Sequence, residues 1–346
     1  MTWNKKKVTN LFFIIGLASV VVMLFTFDVS FAELWRHICN AGWWLIPIIG
    51  IWLVIYALNA LAWGLITANV KEKNQHIGAW RMLKLTISGY ALNYSTPIAG
   101  LGGEPYRIME LSKEIGNQRA TSSVLCYVMT HILAHFIFWI VGIAVFVLLI
   151  MTGYATSSTT IVILTVATVL VIGSLILLFI RGYNGGLAMR LSMIILYIPG
   201  LKRWGLRLIA RHRKALEKVD NQIAMLNSQD KGTFYGSLAI EFLSRLIQSL
   251  EILFMMMLFD AGSASIPIIY LQSVFILTVA TIMSNLLGFL PMQLGGQEGG
   301  FVLAISLLGL SPALGIFICI ICRVREIVWI VIGLILMKVK KIKVNN

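Results

Sequence analysis

In two places the chain sets a glutamate seven residues after a proline and beside a glycine pair. Asn93 is followed by Pro97, Gly102, Gly103 and Glu104, and Asn285 by Pro291, Gly295, Gly296 and Glu298. Proline and clustered glycine interrupt helices, and interrupted backbone leaves N–H groups that can face an anion. Arg107 stands one turn after Glu104, while Arg323 and Arg325 follow Glu298; their planar donor forks suit a phosphate or a carboxylate. In Gly102-Gly103-Glu104-Pro105 the proline belongs in the first turn of a helix, whose positive end then points at whatever precedes it. Further on, Glu241, Arg245, Gln248 and Glu251 recur every three or four residues, one polar stripe on an otherwise apolar helix. Tyr127, His131 and His135 also lie four apart. Two histidines so spaced can share a metal, but no Glu completes an H-E-x-x-H pattern and no third ligand is evident, so a hydrogen-bonded polar face is expected and no metal.

The elements that must carry these residues follow from composition. Of 346 residues 59% are apolar and 12% charged, a balance outside that of soluble domains. Residues 11–27, 43–67, 124–151 and 161–180 are apolar runs near or above the roughly 20 residues that cross a hydrocarbon core. An ionisable group inside such a run costs roughly 2.5–3.5 kcal/mol on insertion, so each needs a partner, a cavity or an interface. The excess of 28 Lys and Arg over 14 Asp and Glu gathers beside hydrophobic segments, which points to membrane topology and away from nucleic acid. Lys5, Lys6 and Lys7 precede the first run, which reads as an uncleaved span, and Lys338, Lys340, Lys341 and Lys343 follow the last. Both termini are therefore expected in the cytoplasm, in a cytoplasmic (inner) membrane. Cys39, Cys126, Cys319 and Cys322 read as small core residues.

The expected fold is an all-α polytopic integral membrane protein, residues 1–346 forming a single transmembrane domain. It has about six full spans plus two re-entrant or broken helix pairs at the two glycine motifs. Residues 181–231 form a basic, amphipathic cytoplasmic connection within it. The two motifs resemble each other and would be approached from opposite sides, an inverted repeat around a midplane site.

At Asn93, Pro97, Gly102, Gly103, Glu104 and Arg107, and again at Pro291, Gly295, Gly296, Glu298, Gly309 and an Arg at 323 or 325, the chain resembles the flippase-type transmembrane portion of bacterial lysyl-phosphatidylglycerol synthases, the multiple peptide resistance factors. The resemblance implies a lipid flippase fold with re-entrant helices around a polar site, and membrane lipids with anionic headgroups as partners. The soluble aminoacyl-transfer domain of those synthases has no counterpart in this sequence, so lysine transfer is not expected. Where the family carries charge on the helix after the first motif, this chain has Met129, Thr130, His131 and Ala134. The expected function is movement of a phosphate-containing lipid, of phospholipid or polyprenyl type, between leaflets through a polar groove. Its substrate-contacting residues would be the two motifs with Glu241, Arg245, Arg323 and Arg325; no cofactor is expected. A coupled carrier of a small polar solute, a membrane-embedded headgroup enzyme and an assembly partner of a lipid-modifying enzyme are the other readings.

Overall fold

The computed structural model describes residues 39, 41–70, 77–95, 102–183, 206, 209–210, 213, 217, 231–259, 264–286 and 295–338. The expected first span, Pro97, Pro291, nearly all of the connection 181–231 and the lysines beyond Lys338 lie outside them.

Every regular element among the described residues is helical. After a single 3-10 turn, Gly42–Trp44, come α1 Leu45–Val70, α2 Ala79–Ser95, α3 Glu104–Ile115, α4 Asn117–Met151 and α5 Thr159–Tyr183. Then follow α6 Lys231–Leu258, α7 Ile266–Leu286, α8 Gly296–Leu307 and α9 Pro312–Lys338. The stretches Gly42–Ala68, Asn117–Met151, Thr159–Leu177 and Ile266–Leu286 are long and apolar enough to cross a membrane. The protein is an all-α polytopic membrane protein. α7, which leads toward the second glycine motif, has 21 residues and the length of a full crossing.

Helix boundaries follow local chemistry. α3 opens with Gly103 as cap, Glu104 in its first turn and a proline at the start, and it closes on Gly116 at φ 81°. There the Gly116 N–H donates to the Ser112 carbonyl at 3.1 Å, a left-handed stop that a Cβ would oppose. α8 opens after Gly295, whose N–H donates to Glu298 Oε2 at 2.8 Å, and a glycine with positive φ, Gly309, follows its end. Both helices have 12 residues, roughly 18 Å, too short to span a bilayer.

The order long helix, second helix, short helix, glycine turn, long helix thus occurs twice, in α1 to α4 and in α6 to α9. Packing repeats with it. α1 and α6 run antiparallel: Trp44 meets Phe254 at 6.2 Å between rings, while Trp63 and Ile66 share a core cluster with Phe234 and Leu238. α4 lies along α7 with Phe146 stacked on Phe275 at 4.2 Å, Gly142 against Thr278 and the Trp139 indole donating to Thr281 at 2.9 Å. α9 lies along α2 in the same sense, with Gly333 against Ile87 and Ala91 and its carbonyl accepting from the Ser88 hydroxyl at 3.1 Å. A Cβ on Gly142 would overlap Thr278, and one on Gly333 would overlap Ala91, so each crossing depends on a bare Cα. Most of α5 shows its apolar side chains outward.

Candidate functional site

The side chains at the two glycine motifs join in one polar layer. At the first, Asn93 on α2 clamps the break: its Oδ1 accepts from the Gly103 N–H at 2.6 Å and its amide donates to Glu104 Oε1 at 3.2 Å. Arg107 donates to the same Glu104 oxygen at 2.9 Å and to the Thr86 carbonyl at 3.2 Å. Only 1% of Arg107 is exposed, because its guanidinium sits under three rings, Tyr90 at 4.8 Å, Tyr127 at 5.4 Å and Trp63 at 5.5 Å. A planar, weakly hydrated cation tolerates such a box better than an ammonium would. Gly89 makes room for it: a side chain there would run into the Arg107 guanidinium. Gly102 and Gly103 are both buried.

At the second motif Glu298 caps its own helix and accepts from Arg323 at 2.9 Å. Arg323 reaches on to Glu326 at 2.9 Å. Arg325, two residues on, donates to Glu251 on α6 at 2.8 Å and stacks on Trp52 at 3.8 Å, and the Trp52 N–H donates to the other Glu251 oxygen at 2.8 Å. Charges therefore alternate from Glu298 through Arg323, Glu326 and Arg325 to Glu251, with Gln297 donating to Glu326 at 3.3 Å. Glu298 is the accessible end of this chain, its side chain 38% exposed, whereas the groups behind it are buried. Asn285 is not the counterpart of Asn93: it is exposed, and its amide donates to the Thr281 carbonyl of its own helix at 2.8 Å. Gly295 and Gly296 form the turn into α8.

The stripe on α6 faces inward. Glu241, Gln248 and Glu251 are buried, and Glu251 joins the second motif as described. Glu241 and Arg245 do not pair directly in these contacts; His131 stands between them, 2.7 Å from Glu241 Oε2 and 2.8 Å from Arg245 Nη2, while Arg245 also donates to Gln248 at 2.8 Å. Above His131 the hydroxyl of Tyr90 receives the Asn59 amide at 3.1 Å and meets the Tyr127 hydroxyl at 3.1 Å. Rings also join the two arginine sites: Arg107 packs on Tyr90, Tyr90 lies 5.4 Å from Tyr56, Tyr56 lies 5.5 Å from Trp52, and Arg325 covers Trp52. The motifs are thus halves of one cluster, and its side chains pack against each other. An open depression of about 670 Å³ runs along α3 and the start of α4, lined by Pro105, Ile108, Met109, Ser112, Asn117 and Thr121.

Sequence reasoning placed the charged members and missed the aromatic frame of Trp52, Tyr56, Trp63 and Tyr90, whose spacing within apolar helices carries no signal of its own. It also missed the ion cluster at the ends of α2 and α3, where Arg81 bonds Glu110 at 2.9 Å and Glu114 at 2.8 Å, and Lys113 bonds Glu110. Partial burial opposes the charge on Glu110, but the Lys113 ammonium and the Arg81 guanidinium outweigh it and hold this carboxyl below its usual range. The two halves differ in where charge sits. His131 lies fifteen residues after Gly116, whereas Arg323 and Arg325 lie fourteen and sixteen after Gly309, so the histidine stands on α4 where α9 supplies arginines.

No curated protein and no solved structure matches the chain. A family model described as the lysylphosphatidylglycerol synthase TM region matches residues 13–334, which include both glycine motifs and the whole charged cluster. On that match, covering nearly its full length, the chain belongs to the family of the lysylphosphatidylglycerol synthase TM region.

Proposed function

We propose that the protein moves a lipid with a phosphate-containing headgroup between leaflets, the headgroup crossing at the polar layer while the hydrocarbon chains stay in lipid. The observation that carries this reading is the alternating ladder from Glu298 to Glu251, which is open at the Glu298 end and buried behind it. Unpaired charge in hydrocarbon is the barrier to lipid transfer, and a row of guanidinium groups already paired with carboxylates lets an incoming phosphate replace a carboxylate without exposing a bare cation. Glu104 with Arg107 supplies a matching pair at the other break.

In this reading α3 and α8 are the returning arms of re-entrant breaks, approached from opposite leaflets. The antiparallel pairing of α1 with α6 supports such an inverted relation. The distribution of Lys and Arg supports a cytoplasmic membrane with both termini on the cytoplasmic side. Anionic lipids are the partners this chemistry favours.

The test is a headgroup-protection assay in proteoliposomes carrying a headgroup-labelled fluorescent phosphatidylglycerol, in which an added membrane-impermeant reductant bleaches only the outer leaflet. Wild-type protein exposes the inner-leaflet pool, and Glu298→Gln or Glu104→Gln slows that exposure while the variants remain folded. Wild-type-like transfer by both variants would remove these residues from the mechanism, and absence of transfer by the wild type would remove the function. The burial of Arg325 and Glu251 also suits occlusion of a small polar solute. Uptake of a water-soluble organic phosphate, with no lipid transfer in the same vesicles, would favour that second reading.

A further inference from the structure

His131 lies between a carboxylate and a guanidinium, and the shortest contacts assign its proton. Arg245 Nη2 lies 2.8 Å from Nε2 and 3.4 Å from Nδ1, and because Arg245 has donors and no acceptor the nearer nitrogen, Nε2, is the unprotonated one. The ring proton then sits on Nδ1, from which it is donated to Glu241 Oε2 at 2.7 Å. A proton added to Nε2 would turn that acceptor into a donor and place a cationic ring directly against the guanidinium. The contact with Arg245 would have to open, while the contact with Glu241 would become an ion pair.

We propose that His131 is a proton site whose occupancy releases Arg245 to bind an anionic headgroup, so that proton and headgroup bind together. This rests on the lipid-transfer reading above and adds the coupling ion to it. Charge stays balanced through the exchange. Before uptake Glu241 and Arg245 offset each other across a neutral ring; afterwards the protonated ring offsets Glu241, and Arg245 is left for the phosphate. By linkage, an anion on Arg245 strengthens proton binding at His131 by the same factor as the proton strengthens anion binding.

Unused hydrogen-bonding capacity surrounds the switch. Glu241 is fully buried, yet its Oε1 has no partner; Arg245 Nε and His135 Nδ1 likewise have none among the described residues. His131 is 20% exposed at its side chain, whereas Glu241 is fully buried. His135 packs edge-on at 4.9 Å, one turn further along α4. The groups facing His131 are Tyr90 from α2, Arg107 from α3 beyond Tyr90 and Tyr127, Tyr127 and His135 from α4 itself, and Glu241 and Arg245 from α6. α1 contributes the neutral Asn59 through Tyr90, and α7 carries no charged side chain.

The decisive measurement is nitrogen-15 magnetic resonance of histidine-labelled full-length protein in vesicles, titrated from acid to neutral pH, with His131→Gln identifying the signal. Vesicles of phosphatidylcholine are compared with vesicles also containing phosphatidylglycerol. The expected result is a neutral Nδ1–H ring at neutral pH and a single protonation step whose midpoint rises by about one pH unit with phosphatidylglycerol, a coupling of roughly tenfold. In Arg245→Gln the midpoint rises in phosphatidylcholine alone, and the response to phosphatidylglycerol is lost. An Nε2–H ring at neutral pH, the absence of any titration, or a phosphatidylglycerol response that persists in Arg245→Gln would each overturn the proposal. Because the readout is independent of lipid movement, a negative result beside active transfer in the headgroup-protection assay would sink the proton site and leave the transfer reading standing.

Discussion

Arg325 ties the buried end of the ladder together, since it binds Glu251, approaches Glu326 at 3.7 Å and covers Trp52. Removing one partner of a buried ion pair leaves the other unpaired, which costs about 3–5 kcal/mol, whereas replacing both with apolar groups costs far less. Arg325→Leu is therefore expected to lower the thermal unfolding temperature in detergent sharply, and Arg325→Leu with Glu251→Leu to recover much of the loss. At the ends of α2 and α3 the expected effect depends on pH. Glu110 is held below its ordinary range in the folded state, so its contribution to stability is complete above the unfolded carboxylate range near pH 4.5 and disappears as the pH falls through the lower folded value. Hydrogen-exchange protection of α3, corrected for the intrinsic pH dependence of exchange, should fall on acidification below that range, and Glu110→Gln should show the lower protection at neutral pH and match the wild type once Glu110 is protonated. The charged residues of the site were legible because an ionisable side chain within an apolar run stands out by its cost. Trp63, Tyr90 and Tyr127 were not legible as a box around Arg107, because an aromatic residue in a membrane helix is ordinary packing until a cation is found beneath it.

The helices meet where they lack side chains. Gly142 and Gly333 receive α7 and α2 respectively, and a branched residue at either would force the pair apart. Gly142→Val and Gly333→Val are each expected to cost about 1–3 kcal/mol by overpacking, read as a lower unfolding temperature. Gly173 on α5, with open space where its Cβ would lie, should accept valine without loss of stability. Apolar run length located α1, α4 and α5 closely, since long apolar runs bounded by polar residues allow few alternatives. α7 was harder: Asn285 and Pro291 drew attention to the break and away from the 21-residue helix leading into it. The matched glycines were visible, but their work was divided differently in space, Asn93 closing one break from the preceding helix and Glu298 closing the other from within.

Across the whole molecule, the two halves pack so that corresponding helices meet in the same antiparallel sense, α4 with α7 and α9 with α2. If the halves are inverted in the membrane, the ends of the corresponding helices α4 and α9 lie on opposite faces. In a chain with its native cysteines replaced, Ser157→Cys should react with an impermeant maleimide added to intact cells, and Lys338→Cys only after the membrane is opened. Labelling of both from the same side would contradict the arrangement.

Composition and hydrophobic run length alone determined that the chain is a helical membrane protein with charged residues that must find partners inside it, because lipid offers neither hydration nor hydrogen bonds. The same constraint made Glu104, Glu298, Arg107 and the α6 stripe conspicuous. Which carboxylate meets which guanidinium was decided only by tertiary structure. Several pairings satisfy the same charge balance, and the choice among them rests on helix crossings, on ring positions, and on His131 standing between Glu241 and Arg245. These are long-range contacts, and no local spacing in a sequence encodes their geometry.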